Sequence, residues 1–236
     1  MKKAFDRILL KLSGEGLMGK QAFGIDENVL NMVAESIKQV RQENIETCIV
    51  IGGGNFYRGV NNTNESVSRP VADQAGMIAT VINALFLKSI LNSKGIKAEI
   101  LSGLSIPQVA ETYSYRSAQN LLQQGTVLIF AGGTGNPYFT TDTGATLRAL
   151  ETECDALFKA TQVDGVYDSD PKKNPNAVRY KTVSYDDVIA KELKVMDMTA
   201  ISMARENKLP IVVFKQVDKD SLINAIKGKG NFTIIK

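Results

Sequence analysis

Three times in this chain an apolar run ends abruptly in glycines: RILLKLSGEG from Arg7, IVIGGGNFYRG from Ile49 and VLIFAGGTGN from Val127. Short apolar runs bounded by turn-forming residues read as buried strands. One strand that empties into glycine is an ordinary tight turn. Three of the same design predict a single sheet with three loops gathered at its carboxyl edge, where open α/β sheets hold their ligands. Glycine there lets backbone N–H groups turn toward an anion. Two cations accompany the loops: Lys11 just ahead of the first, and Arg58 four residues after the last glycine of the second. The planar guanidinium fork fits phosphate oxygens two at a time, so the expected chemistry is phosphate recognition.

The other elements alternate around these three. Strands are expected at Asp6–Ser13, Thr47–Ile51, Lys97–Ser102, Thr126–Ala131, Cys154–Ala160, Ile211–Phe214 and Phe232–Ile235. Helices are expected at Asn28–Gln42 with Asp26 as N-cap, Val71–Ser93, Tyr115–Gln124, a segment carrying Ala149 that Thr143 or Asp142 starts, Tyr185–Ile189, Ala200–Asn207 and Ser221–Ile226. Strand–helix alternation throughout predicts an α/β fold, a three-layer αβα sandwich with a largely parallel central sheet. At 236 residues and 44% hydrophobic content the chain can bury one substantial core, so a single domain is expected.

The first glycine loop resembles two familiar nucleotide motifs and matches neither in context. Gly14 to Gly19 (GEGLMG) has the spacing of the dinucleotide fingerprint, and Gly14 to Gln21 nearly has that of a P-loop. A P-loop needs a hydroxyl after its lysine to ligate Mg²⁺, and Gln21 stands there. Both motifs also need a helix at once, whereas Gly24 still interrupts the chain before Asp26. What remains is a glycine loop after a lysine-bearing strand.

Composition excludes several chemistries. There is no histidine, hence no Ser-His-Asp triad and no histidine base or metal ligand. Cys48 and Cys154 lack metal-ligand spacing and read as buried thiols of a reducing compartment. A net charge of +3, with both signs interspersed, does not call for nucleic acid or an anionic membrane. Asp6, Arg7 and Lys11 interrupt the apolar stretch a signal peptide requires, and Met77–Leu87, the most apolar segment, is too short to span a bilayer. A cytoplasmic protein is expected.

Further candidates lie between the strands. Gly59–Pro70 is polar and turn-rich, a connection expected to be mobile and able to close over a ligand. Asp73, read in the first turn of the next helix, is either an acid favoured by the helix dipole or an acceptor for a ligand hydroxyl. The long run Gly132–Ala145, rich in glycine and threonine, reads as a binding loop. Thr161–Ala177 is dense in turn residues, and its acids Asp164, Asp168 and Asp170 lack the glycine and terminal glutamate of a calcium loop.

Six blocks in order, KLSGE at Lys11, IGGGNFYRG at Ile51, GMIATVINAL at Gly76, GGTGNPYFTTDT at Gly132, KATQVDGVYDSDP at Lys159 and VMDMTA at Val195, resemble the bacterial uridylate kinases of the amino acid kinase family. The resemblance runs from the first strand to Ile211. It implies the amino acid kinase fold, with acceptor binding over about residues 1–155 and ATP binding over about 156–236, and transfer of the γ-phosphoryl group of ATP to UMP with Mg²⁺. Carried over by position, Lys11, Leu12, Ser13, Gly14, Gly54, Arg58, Thr161, Tyr167 and Asp170 resemble the ATP site. Gly53, Asp73 and Thr134, Gly135, Asn136, Pro137, Tyr138, Phe139, Thr140 and Thr141 resemble the UMP site. Lys11 and Arg58 would act on the phosphates. Asp142 and Asp197 either orient Lys11 or Mg²⁺, or cap helices. The stretch Gly19, Lys20, Gln21, Ala22, Phe23 and Gly24 matches a segment tied in the family to activation by GTP, and UTP is the corresponding inhibitor. The resemblance also implies a homohexamer built from dimers, with the apolar helix at Met77–Leu91 as a contact. A sibling enzyme acting on a carboxylate or carbamate is the nearest alternative, and a nucleotide-binding regulator without turnover is the more distant one.

Overall fold

The computed structural model describes residues 5–57 and 67–236. Arg58 and most of the Gly59–Pro70 connection therefore lie outside the described residues. Among those described, the elements in chain order are β1 (Arg7–Leu12), α1 (Glu27–Gln42), β2 (Glu46–Ile51), α2 (Arg69–Ser93), β3 (Ala98–Ser102), β4 (Glu111–Thr112), α3 (Tyr115–Gln123) and β5 (Val127–Ala131). There follow α4 (Thr141–Glu151), β6 (Ala156–Thr161), β7 (Thr182–Val183), α5 (Tyr185–Ala190), α6 (Met198–Glu206), β8 (Ile211–Lys215), α7 (Ser221–Ile226) and β9 (Phe232–Ile235).

The strands form one nine-stranded sheet in the order β4-β3-β5-β2-β1-β6-β8-β9-β7. Every pairing is parallel except β8 with β9. The three glycine-ended strands are thus immediate neighbours, β5-β2-β1, and their loops leave from one edge, as expected. Strands before residue 132 occupy one half of the sheet and strands after 155 the other, with the β1–β6 pair at the join.

Period-two alternation splits the apolar side chains between two cores. Ile8, Leu10, Ile49, Ile51 and Phe158 face the layer with α1, α2 and α7, while Leu9, Cys48, Val50 and Leu157 face the layer with α3 to α6. α2 is long and apolar enough to cross a membrane by length and composition, which the Met77–Leu87 expectation missed. Val81, Ala84, Leu87 and Leu91 nevertheless bury in the core against the sheet, so α2 is a core helix of this fold.

Three local expectations are corrected. α2 starts at Arg69 rather than Val71, because Pro70 sits in its first turn, where no N–H is needed. Asp73 therefore falls outside the first turn, and a helix-dipole role no longer accounts for it. α4 is capped by Thr140, whose hydroxyl accepts from the N–H groups of Asp142 (3.1 Å) and Thr143 (3.3 Å), not by Asp142 or Thr143. A single 3₁₀ turn, Glu15–Met18, occupies the first glycine loop, while α1 starts only at Glu27, where Asp26 accepts from Asn28 N as expected.

Candidate active site

The site is built where β1 and β6 lie side by side. Side chains alternate along a strand, so Lys11 shares the face of Leu9 and Lys159 that of Leu157, both under the α4 layer. Lys11 and Lys159 are also partners in the parallel register. Two ammonium groups therefore rise together beneath the first turn of α4, and Asp142 lies between them. Its Oδ1 is 2.9 Å from Lys11 Nζ, and its Oδ2 accepts a 2.7 Å hydrogen bond from Lys159 Nζ. The three side chains are only 10–15% exposed, so water screens these pairs little. Lys159 also donates to the Val195 carbonyl.

Burial works against the Asp142 carboxylate, but the charges of Lys11 and Lys159 outweigh it and hold the acid below the usual carboxylate range. Lys159 is lowered, chiefly by burial; Asp142 opposes that shift and the charge of Lys11 adds to it. Asp197 has a different task. It caps α6 by accepting from Ala200 N at 3.0 Å, and it accepts from the hydroxyls of Thr143 (2.9 Å) and Thr140 (2.5 Å), tying α6 to α4. Asp197 is thus a helix cap whose charge also reaches Lys159, whereas Asp142 caps no helix and pairs with both lysines.

The glycine loops close around this centre. A methyl group on Gly14 would stand 2.5 Å from Gly52 O and 2.7 Å from Gly54 N, and one on Gly53 would stand 2.6 Å from Gly76 O. Side chains at either place would push the first two loops apart or off α2. Buried Asn55 and Asn83 exchange 2.8 Å hydrogen bonds, and Asn83 also donates to Gly52 O at 2.7 Å. Asn55 reaches the Gly19–Gly24 segment as well: its side chain donates to Gly24 O, its carbonyl accepts from Gly24 N, and Phe56 packs edge-on against exposed Phe23.

A cavity lies on each side. One, of about 130 Å³, is lined by Gly53, Gly54, Asp73, Phe139, Thr140 and Thr141, with Tyr57, Met77 and Thr80 among its other walls. Thr134–Pro137 do not line it and fold into a local turn through the Thr134 hydroxyl. Tyr138 stands at its rim, where its N–H donates to Asp73 at 2.8 Å. The other cavity, of about 660 Å³, contains Lys159, Thr161, Tyr167 and Asp170. Leu12 and Ser13 line neither; with Thr161 they border a small space of about 50 Å³ beneath α1. The Tyr167 hydroxyl donates to Asp164 at 2.5 Å, which fixes the ring and raises the phenol's pKa.

A profile of the amino acid kinase family matches residues 6–215. The chain belongs to that family. Within it, a protein named uridylate kinase from Rickettsia typhi is 51% identical over 232 residues, covering 98% of this chain and 95% of its own. The crystal structure of UMP kinase from Ureaplasma parvum superposes with a TM-score of 0.94 at 36% identity, covering all of both chains. That of UMP kinase from Bacillus anthracis gives 0.92 at 35% identity, covering 98% of this chain and 96% of its own. The parallel sheet with helices on both faces is the fold of these family members.

Lys159 is the main site residue that sequence reasoning missed. It was visible only as a lone lysine in an apolar strand, and its meaning depends on β6 pairing with β1 so that it meets Lys11. Lys172, Lys173, Lys191 and Lys194, which are not singled out in the sequence analysis, also line the larger cavity.

Proposed function

We propose that this chain is a uridylate kinase, which transfers the γ-phosphoryl group of ATP to UMP, reversibly, giving UDP and ADP in pyrimidine nucleotide synthesis. The observation that carries the reading is Asp142 held between Lys11 and Lys159, with one cavity on each side. The names of the family members supply the nucleotide. A nucleoside monophosphate already presents an ionised oxygen, so no general base is required, which suits a chain without histidine. The work is alignment and neutralisation of charge in a loose transition state.

On this reading UMP occupies the cavity beside Gly53, with its phosphate toward the glycine loops and Thr140–Thr141, its ribose toward Asp73 and its base toward the Thr134–Thr141 loop. ATP occupies the larger cavity, with adenine near Tyr167 and the phosphates running past its lysines to Lys159. Lys11 bridges oxygens of the transferring group, Lys159 takes charge on the leaving side, and Asp142 keeps both ammonium groups aimed at the reaction line. The positive end of α4 adds to the same field. Arg58 is assigned to the phosphates. Mg²⁺ enters as part of the substrate, bound to the ATP phosphates. The acceptor half, residues 1–155, and the ATP half, residues 156–236, share one cytoplasmic domain.

Regulation and assembly belong to the same reading. GTP activates through Gly19–Gly24, whose docking on Asn55 gives it a route to the second glycine loop, and UTP inhibits. Val71, Ile78, Leu85 and Phe86 leave an exposed apolar stripe on α2, suited to a second copy within a homohexamer. The deciding experiment measures UDP formed from ATP, Mg²⁺ and UMP, with CMP, dCMP and carbamate in parallel. Product from UMP is expected. Product only from another acceptor, or none even with GTP, overturns the assignment.

A further inference from the structure

Asp73 does not face its cavity alone. Its Oδ2 accepts two hydrogen bonds, 2.8 Å from the Tyr138 N–H and 3.1 Å from Arg69 Nε. Among the described residues, Oδ1 has one long contact, 3.4 Å from the same Nε. Arg69 lies one helical turn before Asp73 on α2, the spacing that brings two side chains together. Its guanidinium carbon also sits 5.3 Å over the ring of Tyr138, whose backbone is left-handed with φ 72°. That conformation is uncommon for an aromatic residue and persists only when neighbours hold it. Here the holders are Asp73 on the N–H and Arg69 on the ring.

Stability is a poor reason for this arrangement. The Arg69 side chain is 55% exposed, and exposed i,i+4 pairs contribute little to folding. What the cluster does is fix the carboxylate. With Oδ2 saturated by two donors, the carboxylate cannot turn, and Oδ1 keeps its lone pairs for a donor entering the cavity.

We infer that Arg69 is a positioning residue for the acceptor: it locks Asp73 so that Oδ1 accepts from the 2′-hydroxyl of the acceptor's ribose, and it thereby sets the preference for ribonucleotide over deoxyribonucleotide. The inference rests on the assignment of the smaller cavity to UMP. Asp73 is 19% exposed in the open cavity, and an acceptor ligand that covers it leaves a fixed Oδ1 short of a partner when the matching hydroxyl is missing, which penalises that substrate. A carboxylate free to rotate discriminates less, since it turns to water when the hydroxyl is missing.

The test compares UMP and dUMP as substrates, and dUMP as a competitor of UMP, in the parent protein, Arg69→Gln and Arg69→Lys. The parent is expected to favour UMP by at least about tenfold in kcat/KM. Arg69→Gln should reduce that ratio roughly tenfold through the KM for UMP, leaving kcat and the dUMP inhibition constant within about twofold. Arg69→Lys should recover part of the ratio, because it keeps the charge without the planar contact on Tyr138. In an Asp73→Asn background, Arg69→Gln should change nothing further. An unchanged ratio in Arg69→Gln, or equal losses for UMP and dUMP, overturns the inference. A parent protein that neither phosphorylates nor binds UMP overturns the acceptor assignment instead.

Discussion

Replacing Asp142 with Asn keeps the shape of the side chain and removes the negative charge between Lys11 and Lys159. The two ion pairs it breaks span 2.9 and 2.7 Å. At the effective dielectric suited to protein sites each represents roughly 6 kcal/mol of gross attraction, most of it offset by the cost of taking the ions out of water. The net cost of breaking a buried pair is about 3–5 kcal/mol. We expect that total rather than its double, because the larger cavity lets water and a turned Lys159 relax part of the strain. For a chain of this size each kcal/mol shifts Tm by roughly 2–4 °C, so Asp142→Asn should melt about 6–20 °C below the parent. Turnover should fall about 10²-fold as the two ammonium groups lose their aim. ATP should bind at least as well as before, since a carboxylate that competed with its phosphates is gone. Calorimetric unfolding, ATP titration and a UDP-forming assay read these three effects. Adding Lys159→Met to the variant should restore part of the lowered Tm by removing one of the uncompensated charges. A variant melting within about 2 °C of the parent, with unaltered turnover, would refute the description of these residues as one buried charge unit.

On the proposed role of Lys11 at the transferring group, Lys11→Met should lower kcat by roughly 10²–10³-fold with small changes in KM; losses confined to KM remove it from that role. Thr140→Ala deletes the α4 cap and the link to Asp197, and should cost about 1–2 kcal/mol in urea unfolding; an unchanged midpoint excludes the cap as a contributor. The kcat/KM profile should show an alkaline limb below the ordinary lysine value of 10.5, where buried Lys159 loses its proton. Unfolded chains keep that proton longer, so stability should rise with pH between the lowered value and 10.5, and it is activity, not folding, that fails there. Under the proposed self-association through α2, Phe86→Glu on its exposed stripe should lower the sedimentation mass; an unaltered mass removes that stripe from the proposed contact.

Most of the architecture was legible because it rests on local signals that agree. Runs such as RILLKL and VLIFA can be buried only as strands covered on both faces, and their glycine exits fix which edge carries the loops. Errors arose where two residues compete for one local task. Pro70 reads as a loop residue until its tolerance in a first helical turn is weighed, and moving the start of α2 back to Arg69 also removed the dipole account of Asp73. Thr140, Asp142 and Thr143 are all acceptable caps by residue type. Only the neighbourhood of two lysines reserves Asp142 for another purpose, leaving the hydroxyl of Thr140 to receive the N–H groups.

The centre itself was half legible, for a physical reason. Lys11 stands out because it precedes one of three glycine loops of the same design, which together announce phosphate chemistry. Lys159 has no glycine beside it and gains meaning only through strand order, which no short stretch of sequence encodes: β6 must leave the half of the sheet to which β5 belongs and settle against the far side of β1. That crossover is made by α4. The same helix that carries the chain across the sheet brings Asp142 in its first turn over the Lys11–Lys159 register pair. The charge centre is therefore a consequence of topology. It forms only where the two halves of the sheet meet, and there it faces the smaller cavity of the first half through Thr140–Thr141 and the larger cavity of the second through Lys159. A group passed from one cavity to the other has to cross that junction, so the positive charge stands where the migrating negative charge needs it.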